Sequence, residues 1–386
     1  MKHTFQKEQP LTPDSVFPFK EAIRTSEERL SALSESGKKI IGYFCTYTPV
    51  EIIHATGLIP VRITGGYGNT DKAYQHVPDF ICPYMKRALE KALDGRYDYI
   101  SGLIQGYTCD AACGMVNIWK DALKLDWVHS IPIPYNDTPE SSDYFKAVLD
   151  ELVQNLSAFG GDFSDSALNG SLNLYHRIRK IQYTLYQQRY QGKSNFTASD
   201  LMTIMDAGDV VPPEDYLCLL EDLSKRLPNH RRNQHHRFPV PVLVSGSLIE
   251  RPEVMDMIES SGGRIVADDL CNGLRQIFPT DGKGETPMDR LIHRTLNRFP
   301  CPSRSRATDR GRRLLDILTQ SRAKGIIFLI QKFCTPHLAD IPILSELLKA
   351  KGYPAIVIEM DESWKMEGQV KTRLEGFFEM LGEDRN

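Results

Sequence analysis

The chain has 386 residues, 41% hydrophobic and 25% charged, with a formal net charge of -3. That length supports two or three cores, and the near balance of charge excludes the broad basic face that nucleic-acid binding requires. No apolar run approaches the roughly 20 residues of a membrane span, and the first residues carry no secretory-type apolar stretch, so a cytoplasmic protein without membrane or nucleic-acid partners is expected.

Residues 1–37 are expected to form a helical extension. A first α/β block then runs from 38 to 162, with strands predicted at 39–44, 59–63, 99–104 and 127–133. Helices fall between them at about 49–56, 82–93 and 110–123, and a long helix follows Thr138. Proline near a helix start and glycine after its end, as in Pro49 and Gly57, mark these boundaries. Residues 163–239 show apolar residues at helical spacing and no strand signal, and they end in a polar, basic, proline-bracketed stretch. A second α/β block occupies 240–386, with strands predicted at 240–245, 264–267, 325–330 and 354–358 and helices between and after them. Strands alternating with helices imply parallel sheets, so the predicted fold is α/β: two flavodoxin- or Rossmann-like domains joined by a helical segment, with a cleft between them.

Three of the eight cysteines stand just past predicted strands: Cys45, Cys109 and Cys334. In an open parallel sheet the ligand crevice lies outside the strands' carboxyl ends, so thiols there can converge on one soft-metal centre. Cys109 also opens a helix, whose free N–H groups stabilise a thiolate. Cys82, Cys271 and Cys301 form a second set at a helix start, a strand end and a proline-flanked turn. Each could instead be a small core residue, the commonest use of a reduced cysteine. Cys218, within Tyr216-Leu-Cys-Leu-Leu220, reads as part of a buried helix face. Cys113 shares a helix face with Cys109, and packing and ligand roles both stay open for it.

Glu51 lies in the first turn of the helix after Cys45, placed either to act as an acid or base or simply to complement the helix dipole. His230, His235 and His236 fall in the polar linker and read as a solvated loop. Neither Gly65-Gly-Tyr-Gly68 nor Gly262-Gly263 forms a G-x-G-x-x-G fingerprint, so a nicotinamide site is rejected. Arginines 304, 306, 310, 312 and 313 read as a solvated, salt-bridged helix face.

At these motifs the chain resembles the 2-hydroxyacyl-CoA dehydratase and benzoyl-CoA reductase family. The resemblance runs through IGYFCTYTPVEIIHATGLIPVRITGG, ICPYMKRALEKAL, YDYISGLIQGYTCDAACGMVNIWK, VADDLCNGLR, FPCPS and GIIFLIQKFCTPH, in that order. It implies an oxygen-sensitive subunit with a 4Fe-4S cluster in the cleft, held by Cys45, Cys109 and Cys334, with Glu51 at the position of a family acid. It also implies an ATP-hydrolysing iron-sulfur activator as electron donor, and an acyl-CoA thioester whose carbonyl takes up the electron so that water can be lost. The chain would pair with a related subunit, in which case it is either the catalytic chain or a non-catalytic electron-transfer partner. A double-cubane branch of the same family holds an 8Fe-9S cluster on six cysteines in a homodimer and reduces small molecules; for that branch Cys82, Cys271 and Cys301 would complete the ligand set.

Overall fold

Short runs of β-branched and aliphatic residues build two separate sheets, seen in a computed structural model that describes residues 15–135, 138–192, 196–226, 239–361 and 367–383. The first sheet contains β1 (Ile40–Tyr43), β2 (Ile59–Arg62), β3 (Gly102–Tyr107) and β4 (Val128–Pro132), all parallel in the order β2-β1-β3-β4. The second contains β5 (Val240–Gly246), β6 (Gly263–Asp269), β7 (Gly325–Gln331) and β8 (Ala355–Met360), parallel in the corresponding order β6-β5-β7-β8. The topology is therefore used twice. In each sheet the chain moves outward on one side of its first strand and then returns to the other side. This creates a switch point between β1 and β3, and again between β5 and β7, where crevices open at the carboxyl ends.

Both faces of each sheet are covered, as parallel sheets require. Along β1 the side chains alternate: Ile40 packs with Leu89, Leu103 and Trp119, while Ile41 packs with Ile104, Leu149 and Leu152 on the opposite face. In the second sheet Leu243, Phe328 and Ile330 meet the helical middle of the chain, and Val242, Val244, Ile327 and Leu329 meet Leu374 and Phe377. Burying each such side chain contributes about 1.5–3 kcal/mol before chain entropy is counted. β7 is buried along its whole length, which explains the uninterrupted apolar run Ile326 to Ile330 within it.

The middle of the chain forms helices Asp165–Tyr190, Ala198–Val210 and Pro213–Arg226. Their starts follow from local chemistry: Ser164 accepts from the Ala167 N–H, and Thr197 forms a capping box with Asp200. Near the amino terminus, helices Phe17–Arg24 and Ser26–Glu35 divide between cores, with Phe19 edge-on to Tyr216 and Leu30 packed under the first sheet. No helix among the described residues is long and apolar enough to cross a membrane.

Three expectations need correction. The third strand lies three residues later than predicted and ends at Tyr107: Gln105 and Gly106, which fall outside the predicted strand, are buried and pair with Ser130 and Ile131. Cys218 is exposed, because Tyr216, Leu217, Leu220 and Leu223 already complete the buried stripe of its helix and position 218 points away from it. The arginine group is a solvated face only in part: Arg306 and Arg312 are exposed and Arg313 is half-buried over the Phe278 and Phe299 rings, but the other two are not. Arg310 is fully buried between Asp269 and Asp340, and Arg304 is buried over the Tyr47 ring. His230, His235 and His236 lie outside the described residues.

Candidate metal centre

The carboxyl ends of the two sheets face a common cavity of about 350 Å³ whose wall includes Cys45, Cys82, Cys109, Cys271, Cys301 and Cys334. Cys45 and Cys109 follow β1 and β3 at the first switch point, and Cys334 follows β7 at the second. Cys271 follows β6, Cys82 precedes the helix Pro83–Leu93, and Cys301 sits in a turn before the helix Ala307–Ser321. Both sequence-predicted cysteine sets thus line one space. Cys113 and Cys218 do not line it.

Local backbone geometry explains how these thiols are presented. Cys82, Cys109 and Cys334 each occupy the N-cap of a helix, where unpaired backbone N–H groups and the positive dipole end favour negative sulfur. The Tyr47 N–H donates to Cys45 Sγ at 3.5 Å. Phe333, just before Cys334, adopts a left-handed φ of 64°, a conformation that costs a non-glycine residue about 1–2 kcal/mol and turns the chain abruptly at the end of β7.

One arginine lines the cavity, and another touches a sulfur on its wall. Arg275 donates from Nη1 to Cys271 Sγ at 3.2 Å, while its Nε and Nη2 are held by the Asp269 carboxylate at 3.0 and 2.6 Å and Nη2 also by the Gly246 carbonyl at 3.1 Å. Asp269 in turn binds Arg310, so the arginine beside the cysteine is locked by a fully buried network. Arg62 lines the cavity and pairs with the buried Asp209 at 3.3 Å. His337 Nε2 donates to the same Gly246 carbonyl at 2.9 Å, which leaves Nδ1 of the neutral ring as acceptor 3.2 Å from Cys334 Sγ. Burial first, and then Arg310 and Arg275, hold the His337 pKa well below its ordinary value, so the ring is neutral.

As free thiols, Cys82, Cys109, Cys301 and Cys334 resist ionisation. Burial pushes Cys109 up to about 12 and Cys301 up to about 11, and neighbouring cysteines add to the effect in both cases. Cys82 and Cys334 are raised by burial as well. Thiols crowded in an apolar cavity become thiolates when positive metal compensates them. Among the described residues no three His, Cys, Asp or Glu side chains are grouped tightly enough to share a single metal ion. The sulfurs instead surround a space suited to a larger group. Ser247 Oγ and Arg62 Nε, both on residues of the cavity wall, are buried without a partner in the protein.

Comparison with known sequences places the chain in one family. A family model described as 2-hydroxyglutaryl-CoA dehydratase, D-component, matches residues 45–381. The chain belongs to that family. Among its relatives, the β subunit of (R)-phenyllactyl-CoA dehydratase from Clostridium sporogenes is 26% identical, with 94% of this chain and 97% of that one covered. The β subunit of lactoyl-CoA dehydratase from Anaerotignum propionicum is 29% identical over 90% and 93%. One subunit of benzoyl-CoA reductase from Thauera aromatica is 27% identical over 86% and 87%. The chain's relatives therefore include subunits of both dehydratases and a reductase.

Within this D-component chain, Glu51 occupies a different place from the cysteines. It lines a second, smaller cavity and is buried against Arg179 Nη1 at 2.6 Å and Arg294 Nη1 at 3.6 Å. Burial alone would raise its pKa, but the two arginines override that and bring it down to about 2. It is a fixed carboxylate at neutral pH and holds no proton to donate. The turn at Gly65-Gly66 binds an internal carboxyl group: both N–H groups donate to Glu250, at 2.7 and 2.9 Å, and burial pushes that group's pKa up to about 7. Arg275 and His337 were not singled out from sequence. A signal existed for His337, which follows the N-cap Cys334 in the first turn of its helix at i+3; Arg275 follows Cys271 by four residues across a turn, a spacing that carries no helical signal.

Proposed function

We propose that this chain is the iron-sulfur subunit of an ATP-driven redox enzyme of the dehydratase and reductase family, with a polynuclear cluster held by Cys45, Cys82, Cys109, Cys271, Cys301 and Cys334. The observation that carries this reading is the six thiols on one cavity wall. A single 4Fe-4S cluster needs at most four cysteines, so six favour the double-cubane type, which reduces small molecules as a homodimer. When bound, such a cluster supplies low-potential electrons. The protein's part is to keep water out with the buried Phe44, Met85 and Leu248, to place Arg275 and backbone N–H groups against negative sulfur, and to present the cluster at the cleft. The electrons would come from an ATP-hydrolysing iron-sulfur activator.

A second reading is favoured by the curated relatives, three of which are β subunits of acyl-CoA dehydratases. In it the chain holds one cubane on Cys45, Cys109 and Cys334, pairs with a related subunit, and takes part in dehydration of a 2-hydroxyacyl-CoA either as the catalytic chain or as an electron-transfer partner. Iron and sulfide analysis after strictly anaerobic purification separates the two: about eight irons per chain support the first and about four the second. No iron, or zinc in its place, would overturn both. Turnover of an acyl-CoA panel with and without activator then tests the dehydratase activity.

A further inference from the structure

Behind the cysteine cavity lies the smaller cavity of about 60 Å³ that contains Glu51, and Thr46 belongs to the walls of both. Its lining contains three guanidiniums, Arg179, Arg294 and Arg298, which are 5%, 4% and 9% exposed. They face one carboxylate, Glu51. Arginine does not shed its proton inside proteins, so the excess positive charge must be met by an anion or held at high cost. The crowding registers on Arg294, whose pKa is pushed well down by burial and then by Arg179 and Arg298.

Hydrogen bonding points the same way. Protein acceptors satisfy much of the group: Arg294 donates to the carbonyls of Pro279 and Gln276 at 3.1 Å each, Arg298 to those of Thr46 and Gln276, and Arg179 to that of Thr280 at 2.9 Å. Arg179 Nη2 and Arg298 Nε are nevertheless buried with no partner in the protein. Two unused donors on cationic side chains, bordering a cavity large enough for a small ion, make a ligand site.

We propose that this cavity is an anion site that takes a halide or a small oxyanion, held by Arg179, Arg294 and Arg298 beside the cysteine cavity. Because Arg298 also donates to the carbonyl of Thr46, next to Cys45, a bound anion would brace the loop that presents that thiol. The site is independent of how many irons the chain holds, so its failure leaves the functional reading standing.

Crystals of the anaerobically purified full chain grown in bromide should show an anomalous peak within hydrogen-bonding distance of Arg179 Nη2 and Arg298 Nε. Calorimetric titration with sulfate in chloride-free buffer should show saturable binding, weakened roughly tenfold or more in Arg298→Gln through loss of a charge-assisted hydrogen bond. Glu51→Gln should strengthen binding, because it removes the competing negative charge, whereas a merely structural Glu51 would leave sulfate affinity unmoved. A cavity holding only water in the bromide crystal, together with no sulfate binding by the wild-type chain, would overturn the proposal.

Discussion

Arg275 Nη1 lies 3.2 Å from Cys271 Sγ, and the same guanidinium is clamped by Asp269, which is itself shared with Arg310. The cation facing the thiol therefore cannot swing away. A positive donor on a ligand sulfur stabilises the more negative, reduced state of an attached cluster. Replacing it with Gln should make the cluster's reduction potential more negative. If the loss is about 1 kcal/mol, the shift is about 40 mV for a one-electron step. A redox titration followed by electron paramagnetic resonance reads this directly, and an unchanged potential in a fully loaded Arg275→Gln protein would count against the contact.

The cavity divides the eight cysteines into six and two. Cys109→Ala and Cys334→Ala should lose iron while keeping the far-ultraviolet circular dichroism of the parent, because both thiols sit at helix N-caps and are only partly buried at the edge of a core, where alanine fits. Cys218→Ala and Cys113→Ala should retain full iron content, since neither residue lines the cavity. Cys82→Ala and Cys301→Ala discriminate most sharply: about half the iron lost supports six ligands, and none lost supports three.

Glu51 contributes to stability through its ionised form. Its folded pKa of about 2 lies below the ordinary carboxylate value of about 4.3, so its contribution is fully present above about pH 4.3 and is lost as pH falls toward 2. The shift corresponds to about 3 kcal/mol. Glu51→Gln leaves Arg179 and Arg294 without their carboxylate and should be destabilised by about 3–5 kcal/mol at pH 7. Denaturant unfolding at a series of pH values should show the gap between parent and variant closing from pH 4.3 to 2.

Gly246 ends β5 where the backbone meets β7. A Cβ there would fall 2.1 Å from the Leu329 carbonyl oxygen, a backbone atom that cannot retreat without breaking the strand pairing. The Gly246 carbonyl also receives Arg275 and His337. Gly246→Ala should lower stability by more than about 2 kcal/mol and reduce iron loading with it, measured by thermal unfolding and metal analysis of the same preparation.

Periodicity and punctuation alone located all eight strands and the helical middle of the chain, because parallel strands buried on both faces must be short apolar runs and helices must start where caps and prolines permit. The one displaced strand, β3, was obscured by Gln105 and Gly106, whose burial depends on contacts made far away in sequence. Cys45, Cys109 and Cys334 stood out because a parallel sheet directs its carboxyl ends to a crevice. Only the tertiary structure could decide that Cys82, Cys271 and Cys301 line the same space, since turns and helix starts have no inherent direction toward a partner domain. It also decided that Glu51 belongs with buried arginines from distant helices, and that Arg310, which reads as surface charge, is core. Pairing between charges remote in the chain leaves no periodic trace in the sequence, whereas burial of a strand or a helix face does.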